Sequence, residues 1–139
     1  MKILLAVDGS DYTRKIVDYV GSQPLFDARH EYTLFNAQSP LPPHAAAAVG
    51  AAATREYHRE EAQKALEPAL ARLREHGYRA GSDWRTGTAG ETIARFATEG
   101  GYDLIVMGTH GYSALGRLIM GSVTMQVLAQ CTVPVLLVR

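Results

Sequence analysis

The sequence has little cysteine and no excess of charge of either sign. Its 139 residues include a single cysteine, Cys131, so an internal disulfide is excluded and a reducing compartment is favoured. Lysine and arginine number 14, as do aspartate and glutamate, which gives a formal net charge of +0. Because there is neither a basic field nor a basic cluster, we expect no nucleic acid and no membrane surface among the partners.

Long hydrophobic runs are also missing. The N-terminal apolar run, residues 3–7, is too short for the core of a signal peptide or for a membrane span. We therefore expect a cytoplasmic protein. No repeat with a period of 20–50 residues occurs, and the length predicts one domain over residues 1–139.

Several familiar catalytic and phosphate-binding motifs are absent. The turn Asp8-Gly9-Ser10 lacks the glycine pattern of dinucleotide-binding folds, and no Gly-Lys-Ser/Thr triplet supplies a P-loop lysine. Residues 111–115 lack the second glycine of a hydrolase nucleophile elbow. The five histidines show no metal-ligand spacing, so no metal site made by the protein alone is predicted.

Apolar runs alternate with helical patterns along the chain. Strands are predicted over residues 3–7, 31–37, 78–85, 104–107 and 134–138. Helices are predicted from Ser10 to Gly21, with Tyr12 on the buried face, over residues 62–73, from Thr88 to Gly100, and over residues 122–130. This alternation predicts an α/β fold with an open, parallel, five-stranded sheet and helices on both faces.

Local signals add detail to the helices and connectors. Pro68 falls inside a helical pattern and should kink or split that helix, while Thr88 and Glu91 are spaced as a capping box. Residues 39–43 are proline-rich and predict an exposed connector. The alanines of residues 45–53 could belong to this connector or could start the next helix.

The most informative stretch is Gly108-Thr109-His110-Gly111, followed after nine residues by Gly121-Ser122. It lies between a predicted buried strand and a predicted helix. Glycines allow φ > 0 and close approach of a ligand, and the first amides of a helix have no intrahelical partner. A strand, a glycine loop and a helix N-terminus together favour a bound phosphate.

Asp8 ends the first strand as Gly108 ends the fourth. In an open α/β sheet, ligands bind at the carboxyl ends of strands where the strand order reverses. If these two strands are neighbours at the reversal, Asp8 and the glycine loop face one crevice. A carboxylate there suits the ribose or base of a nucleotide.

With these elements in this order, the sequence resembles the ATP-binding type of the universal stress protein family. The motif is Gly, two residues, Gly, nine residues, Gly and then Ser or Thr, which matches Gly108, Gly111, Gly121 and Ser122. Asp8, Asp103 and Pro134-Val135-Leu136 match the rest of the frame, so the resemblance covers the whole chain. It implies a Rossmann-like fold of the adenine nucleotide alpha hydrolase-like kind.

The resemblance also implies ten residues around bound ATP, with Mg²⁺ carried by the nucleotide's phosphates. They are Ala6, Asp8 and Ala37 at the adenosine end, Met107 and Gly108 beneath the nucleotide, and His110, Gly111, Gly121, Ser122 and Val123 around the phosphates. Two positions depart from the family's usual pattern: Asn36, where histidine is common, and Ala37, where valine is usual.

Each of these residues also has a purely structural interpretation. Asp8 could end a strand and help to cap a helix, the glycines could be turn residues that need φ > 0, and Ser122 could be a helix cap. His110 could be a surface histidine, and Arg117 could reach phosphate or be solvated.

Three functions remain open. Because no general base is predicted beside the phosphates, a nucleotide-binding regulatory protein with slow or no ATP hydrolysis is favoured over an enzyme. A small α/β hydrolase or a nucleotidyl-transfer enzyme could use the same crevice. A nucleotide-free scaffold could dock a partner on the connector of residues 40–49.

The last strand predicts a protein partner. With strand order 3-2-1-4-5, the polar strand of residues 78–85 and the apolar strand Val135–Val138 form the two edges. Because the chain ends at Arg139, we expect the apolar edge to stay uncovered and to pair with a second copy. This two-fold homodimer also agrees with the family resemblance.

Overall fold

Five strands and five helices follow one another in the computed structural model, which describes residues 1–111 and 120–139. The elements are β1 Lys2–Ala6, α1 Asp11–Ser22, β2 Glu31–Gln38, α2 Pro43–Val49, α3 Ala51–Glu75, β3 Ala80–Thr86, α4 Ala89–Glu99, β4 Leu104–Gly108, α5 Ser122–Gln130 and β5 Val135–Val138.

All five strands are parallel, and their order is β3-β2-β1-β4-β5. The predicted α/β class and strand order are therefore confirmed. Ile3 of β1 lies opposite Tyr32 of β2 on one side and Leu104 of β4 on the other. The chain builds outward from β1 to β3 and then returns to β4, so the order reverses between β1 and β4.

Helices cover both faces of the sheet, which explains why its central strands are continuously apolar. On one face, α1 and α3 pack with side chains such as Val17, Leu66 and Leu5. On the other face, α4 and α5 pack with Ile93, Val127 and neighbouring strand residues. Burial of apolar surface in these two clusters is the main stabilising contribution to the fold.

Gly90 sets the distance between α4 and α5. It is buried, and a Cβ there would overlap the side chain of Gln126. The glycine therefore lets α4 lie close to α5, and so helps to fix the N-terminus of α5 at the carboxyl edge of the sheet.

Local predictions at Pro68 and Thr88 need correction. Pro68 does not split its helix, because α3 continues from Ala51 to Glu75 with Pro68 exposed inside it. Tertiary packing on both sides of the proline outweighs its local cost. The connector is exposed, as predicted, and its alanines form the short helix α2 and the start of α3; α2 ends at Gly50, whose φ is 86°. No residue of α2 is buried.

The capping box at α4 does not form. Thr88 is the N-cap residue, as predicted, but its side chain makes no capping hydrogen bond. Glu91 instead pairs with Arg95 one turn later, at 2.5 Å. Ser10 likewise occupies the N-cap of α1 without a side-chain capping bond. None of the helices in the described ranges has the length and apolarity that crossing a membrane requires.

We expect Pro68→Ala to stabilise the protein by about 1–3 kcal/mol, since alanine restores the hydrogen bond to the carbonyl of Lys64 and removes a steric conflict. Urea denaturation followed by circular dichroism measures the change. Glu67→Ala, at the neighbouring exposed position, should stay within about 0.5 kcal/mol of the parent. A destabilised Pro68→Ala variant would contradict this account of α3.

Candidate functional site

A cavity of about 250 Å³ opens at the carboxyl ends of β1 and β4, where the strand order reverses. All ten residues that the sequence singles out line it. Seven further residues line it as well: Val7, Tyr12, Thr13, Ile16, Ala89, Ile93 and Thr124. The fold thus brings the ten residues together, while their contact with a ligand remains a prediction.

Asp8 is held in place by the first turn of α1. Its Oδ1 accepts a hydrogen bond from the amide of Ser10 at 2.9 Å and lies 3.4 Å from the hydroxyl of Thr13. The same hydroxyl accepts hydrogen bonds from the amides of Asp8 and Gly9, at 3.2 and 2.9 Å. Thr13 is buried, whereas Asp8 is exposed. This network presents the carboxylate at the cavity with a defined orientation.

The glycine loop lies directly against Asp8. A Cβ placed on Gly111 would overlap Oδ2 of the Asp8 carboxylate. A Cβ on Gly108 would come within 2.8 Å of the Cβ of Tyr12, and one on Gly121 within 3.2 Å of the carbonyl oxygen of Thr109. Gly108 and Gly111 therefore lie where an added Cβ would overlap a neighbouring side chain, and Gly121 lies close to the backbone of Thr109.

Positive φ is not the reason for these glycines, contrary to the sequence-based expectation. The described glycines with positive φ are at positions 9, 50, 77, 87 and 101. Gly121 has φ −74°. The structural alternative of a turn that needs a left-handed glycine therefore does not apply at Gly108, Gly111 or Gly121.

The N-terminus of α5 forms one wall of the cavity. Gly121 is the N-cap and Ser122 the first helical residue, so Ser122 is not the cap. The amide of Gly121 donates to the carbonyl of Thr109 at 2.6 Å, and the hydroxyl of Thr124 donates to the carbonyl of Gly108 at 3.0 Å. These bonds tie α5 to the end of β4 and leave its first amides, which lack intrahelical acceptors, beside the cavity.

His110 is half-buried rather than a free surface histidine. Its Nδ1 lies 3.2 Å from the hydroxyl of Thr109 and 3.4 Å from that of Tyr12. Its Nε2 is buried and has no hydrogen-bond partner among the described residues. An imidazole nitrogen in this position can accept or donate one hydrogen bond to a molecule in the cavity.

Sequence reasoning missed two of the residues that shape the site. Tyr12 was expected on the buried face of α1, but it is half-buried and its ring centroid lies 5.8 Å from that of His110. Thr13 gave no signal beyond a threonine in the first turn of a helix, since its bonds to Asp8 depend on the β1–α1 turn.

Asn36, which stands where histidine is common in the family, has a structural role in this chain. Asn36 is buried, and its amide nitrogen donates to the carbonyl of Val7 at 2.8 Å. Gln38 in turn donates to the Asn36 side-chain oxygen at 2.5 Å. The side chain thus extends the β1–β2 pairing by one bond beyond the end of β1, beside Asp8.

Arg117 and the rest of residues 112–119 lie outside the described residues. In the two ranges that the structure does describe, no group of three His, Cys, Asp or Glu side chains is arranged to hold a metal ion.

An all-parallel open sheet with a cavity at its strand-order reversal defines the class of doubly wound α/β proteins, whose ligands bind at that edge. The profile of the Universal stress protein family matches residues 1–139. The chain therefore belongs to the universal stress protein family, as the sequence predicted.

Known relatives agree with this assignment. Universal stress protein Slr1230 of Synechocystis is 30% identical over 138 residues, which are 99% of this chain and 42% of that protein. Universal stress protein YxiE of Bacillus subtilis is 29% identical over 146 residues, 99% of this chain and 98% of its own. The chain thus spans less than half of the first relative and nearly all of the second.

Solved structures share the fold. That of MJ0577 from Methanocaldococcus jannaschii has a TM-score of 0.80 and 27% identity, covering 99% of this chain and 94% of its own. Three others hold adenine nucleotides: one universal stress protein with cAMP, one from Arabidopsis thaliana with AMP and one from Archaeoglobus fulgidus with dAMP. At 16–22% identity and TM-scores of 0.69–0.72, covering at least 99% of this chain and 90% of theirs, these three support the fold alone.

We expect Gly111→Ala to displace the Asp8 carboxylate, because the added Cβ would occupy the position of Oδ2. In ¹H–¹⁵N spectra, the amides of Asp8, Ser10 and Thr13 should shift although they lie about a hundred positions away in sequence. Gly81→Ala is the matched control, since a Cβ there meets nothing within 4 Å. Unshifted resonances around Asp8 in the Gly111→Ala variant would show that the two segments are not in contact.

Proposed function

We propose that the chain binds ATP with Mg²⁺ in the cavity and acts as a nucleotide-dependent regulatory module of the stress response, with slow or no hydrolysis. The observation that carries this proposal is the placement of Asp8 and the N-terminus of α5 on one cavity at the strand-order reversal. The adenine nucleotides bound by structural relatives support the ligand class. The free thiol of Cys131 supports a cytoplasmic location.

The base and ribose would lie at the end formed by β1 and β2. Ala6 of β1, Ala37 of β2 and Met107 of the adjacent strand β4 supply apolar lining there. Asp8 is the described carboxylate on this cavity, and a carboxylate oriented by fixed hydrogen bonds is suited to accept those of ribose hydroxyls. Alanine at position 37, where valine is usual, leaves more room beside the base.

The phosphates would lie at the end formed by the glycine loop and α5. Gly121, Ser122 and Val123 at the start of α5 line this part of the cavity, as does His110, whose buried Nε2 has no hydrogen-bond partner among the described residues. Donors at a helix N-terminus favour an anion through both hydrogen bonds and the helix dipole.

Magnesium would arrive with the nucleotide. Mg²⁺ in nucleotide sites is held largely by phosphate oxygens and water, with few protein ligands. The described cavity lining fits this arrangement, because it offers one carboxylate and no cluster of acidic side chains.

The described lining also argues against rapid phosphoryl transfer. Its ionisable side chains are Asp8, Tyr12 and His110, and it contains neither lysine nor arginine. Fast phosphoryl transfer depends on cations that stabilise the charge of the transferring group. The lining described here can hold phosphates, but it lacks the groups that usually accelerate their transfer.

Isothermal titration calorimetry of the full chain with ATP in the presence of Mg²⁺ tests the proposal. We expect saturable binding to one site per chain, weakened at least tenfold by Asp8→Asn because the carboxylate acceptor is lost. Ser82→Ala, on the exposed edge strand β3, is the matched control and should bind like the parent. Phosphate release should stay far below the ~1 s⁻¹ at the slow end of enzyme turnover.

Two results would contradict the proposal. The absence of binding heat with ATP, AMP and cyclic AMP would favour a nucleotide-free scaffold. Rapid release of phosphate or pyrophosphate that Asp8→Asn abolishes would favour a hydrolase or a nucleotidyl-transfer enzyme.

We further propose a two-fold homodimer through β5. This strand lies at the edge of the sheet, and Val135, Leu136 and Leu137 are only half-buried. Two large apolar side chains of the neighbouring helix α5, Met125 and Leu128, are 53% and 44% exposed. An uncovered apolar edge strand next to exposed apolar side chains favours pairing with a second copy.

Hydrogen bonding identifies which amides of β5 are available for pairing. The carbonyls of Pro134 and Val138 accept hydrogen bonds from β4. Because backbone groups alternate in direction along a strand, the polar groups of Val135 and Leu137 point away from β4, toward the open edge.

Light scattering at micromolar concentration should give twice the chain mass of 15.1 kDa. We expect Leu137→Pro to yield a monomer, because it removes an outward amide without removing a bond to β4. Leu137→Ala keeps that amide and should remain largely dimeric. A monomeric parent protein would contradict the proposed dimer.

A further inference from the structure

A second cavity, of about 170 Å³, lies between the carboxyl end of β3 and the N-terminal half of α4. It shares no lining residue with the main cavity, although α4 borders both. Its lining is polar and cationic for most of its extent, with two arginines, three threonines and one glutamate. The function proposed above makes no use of it.

Thr92 is the buried polar group of this second cavity. The residue is only 9% exposed, and its hydroxyl has no hydrogen-bond partner among the described residues. The hydroxyl oxygen lies over Gly87, where a Cβ would overlap it. A hydroxyl without a protein partner is available to a ligand in the cavity.

The N-terminus of α4 adds further donors. This helix has 11 residues, and its N-cap Thr88 makes no side-chain capping bond. The first amides of α4 therefore receive no acceptor from the Thr88 side chain. Because the Thr88 hydroxyl makes no capping bond, it can bond to a ligand instead. The hydroxyls of Thr88 and Thr92 and the backbone of Glu91 thus border the same cavity.

Two guanidinium groups supply positive charge. Arg85 lies 5.0 Å from the centroid of the Phe96 ring and forms no ion pair with a described carboxylate. Arg95 pairs with Glu91 at 2.5 Å. One carboxylate thus faces two guanidinium groups, which leaves an excess of positive charge beside the unpartnered Thr92 hydroxyl.

From this arrangement we infer that the second cavity binds a phosphate-class oxyanion, either inorganic phosphate or the phosphate of a small monoester. Arginine forms bidentate hydrogen bonds with such oxygens, and a helix N-terminus stabilises their charge. The oxyanion accepts hydrogen bonds from Arg85, Thr92 and the amide of Glu91 in the first turn of α4. Arg95 exchanges part of its contact with Glu91 for the ligand.

Titration of the ¹⁵N-labelled full chain tests this site directly. The probes are inorganic phosphate and glycerol 3-phosphate, at constant pH and constant ionic strength kept with chloride. We expect saturating shifts at the amides of Gly90, Glu91 and Thr92 with both probes. The probe that binds more tightly shows whether the site prefers inorganic phosphate or a phosphate monoester. Shifts at the amides of Ser122 and Val123 report binding in the main cavity separately.

Variants that are expected to change phosphate affinity in opposite directions distinguish a loss of binding from misfolding. Thr92→Val and Arg85→Gln should each weaken phosphate binding at α4 at least fivefold. Glu91→Gln should strengthen it, because it removes the carboxylate that competes for Arg95, and damage to the fold would not do so. Arg79→Gln, just before the other end of β3, is the matched control and should change nothing.

Shifts at α4 that fail to saturate, or that persist unchanged in both Thr92→Val and Arg85→Gln, would overturn the inference. So would a Glu91→Gln variant that binds phosphate more weakly than the parent.

Discussion

The pairing of β1 with both β2 and β4 is the constraint on which the rest of the structure depends. Because β1 is central, the chain must reverse direction across the sheet, and the connections on the two sides of β1 diverge to opposite faces. The opening left between them is the main cavity. Asp8 and Gly108, a hundred positions apart in sequence, come together there because their strands are neighbours.

Close approach of chain segments, rather than unusual backbone angles, explains the glycines of the loop. Gly111 makes room for the Asp8 carboxylate, Gly108 for Tyr12, and Gly121 for the carbonyl of Thr109. The consequence is a compact junction in which α1, β4 and the start of α5 support one another. The motif that the sequence predicts to be a phosphate loop is therefore also a packing motif.

The helix α4 occupies an unusual position in this architecture. Ala89 and Ile93 line the main cavity, while Thr92 and Arg95 line the second. The same helix packs closely on α5 at Gly90, and α5 carries the N-terminus that borders the main cavity. A ligand in either cavity would therefore contact α4. The helix α5, on which α4 packs, is in turn next to the edge strand β5.

The sequence by itself determined the fold class, the strand order and the family, since continuous apolar strands, alternating helices and the spacing from Gly108 to Ser122 are local or periodic signals. Through the family resemblance it also singled out ten residues, all of which line the main cavity. It could not predict the continuity of α3 through Pro68, because packing outweighed propensity there, nor the missing capping bond of Thr88. Only the tertiary structure decided that Thr13 orients Asp8, that Tyr12 contacts His110 and that Thr92 lacks a partner beside two arginines. These relations join residues from different elements, and the distances between them arise only when the sheet and its helices pack together.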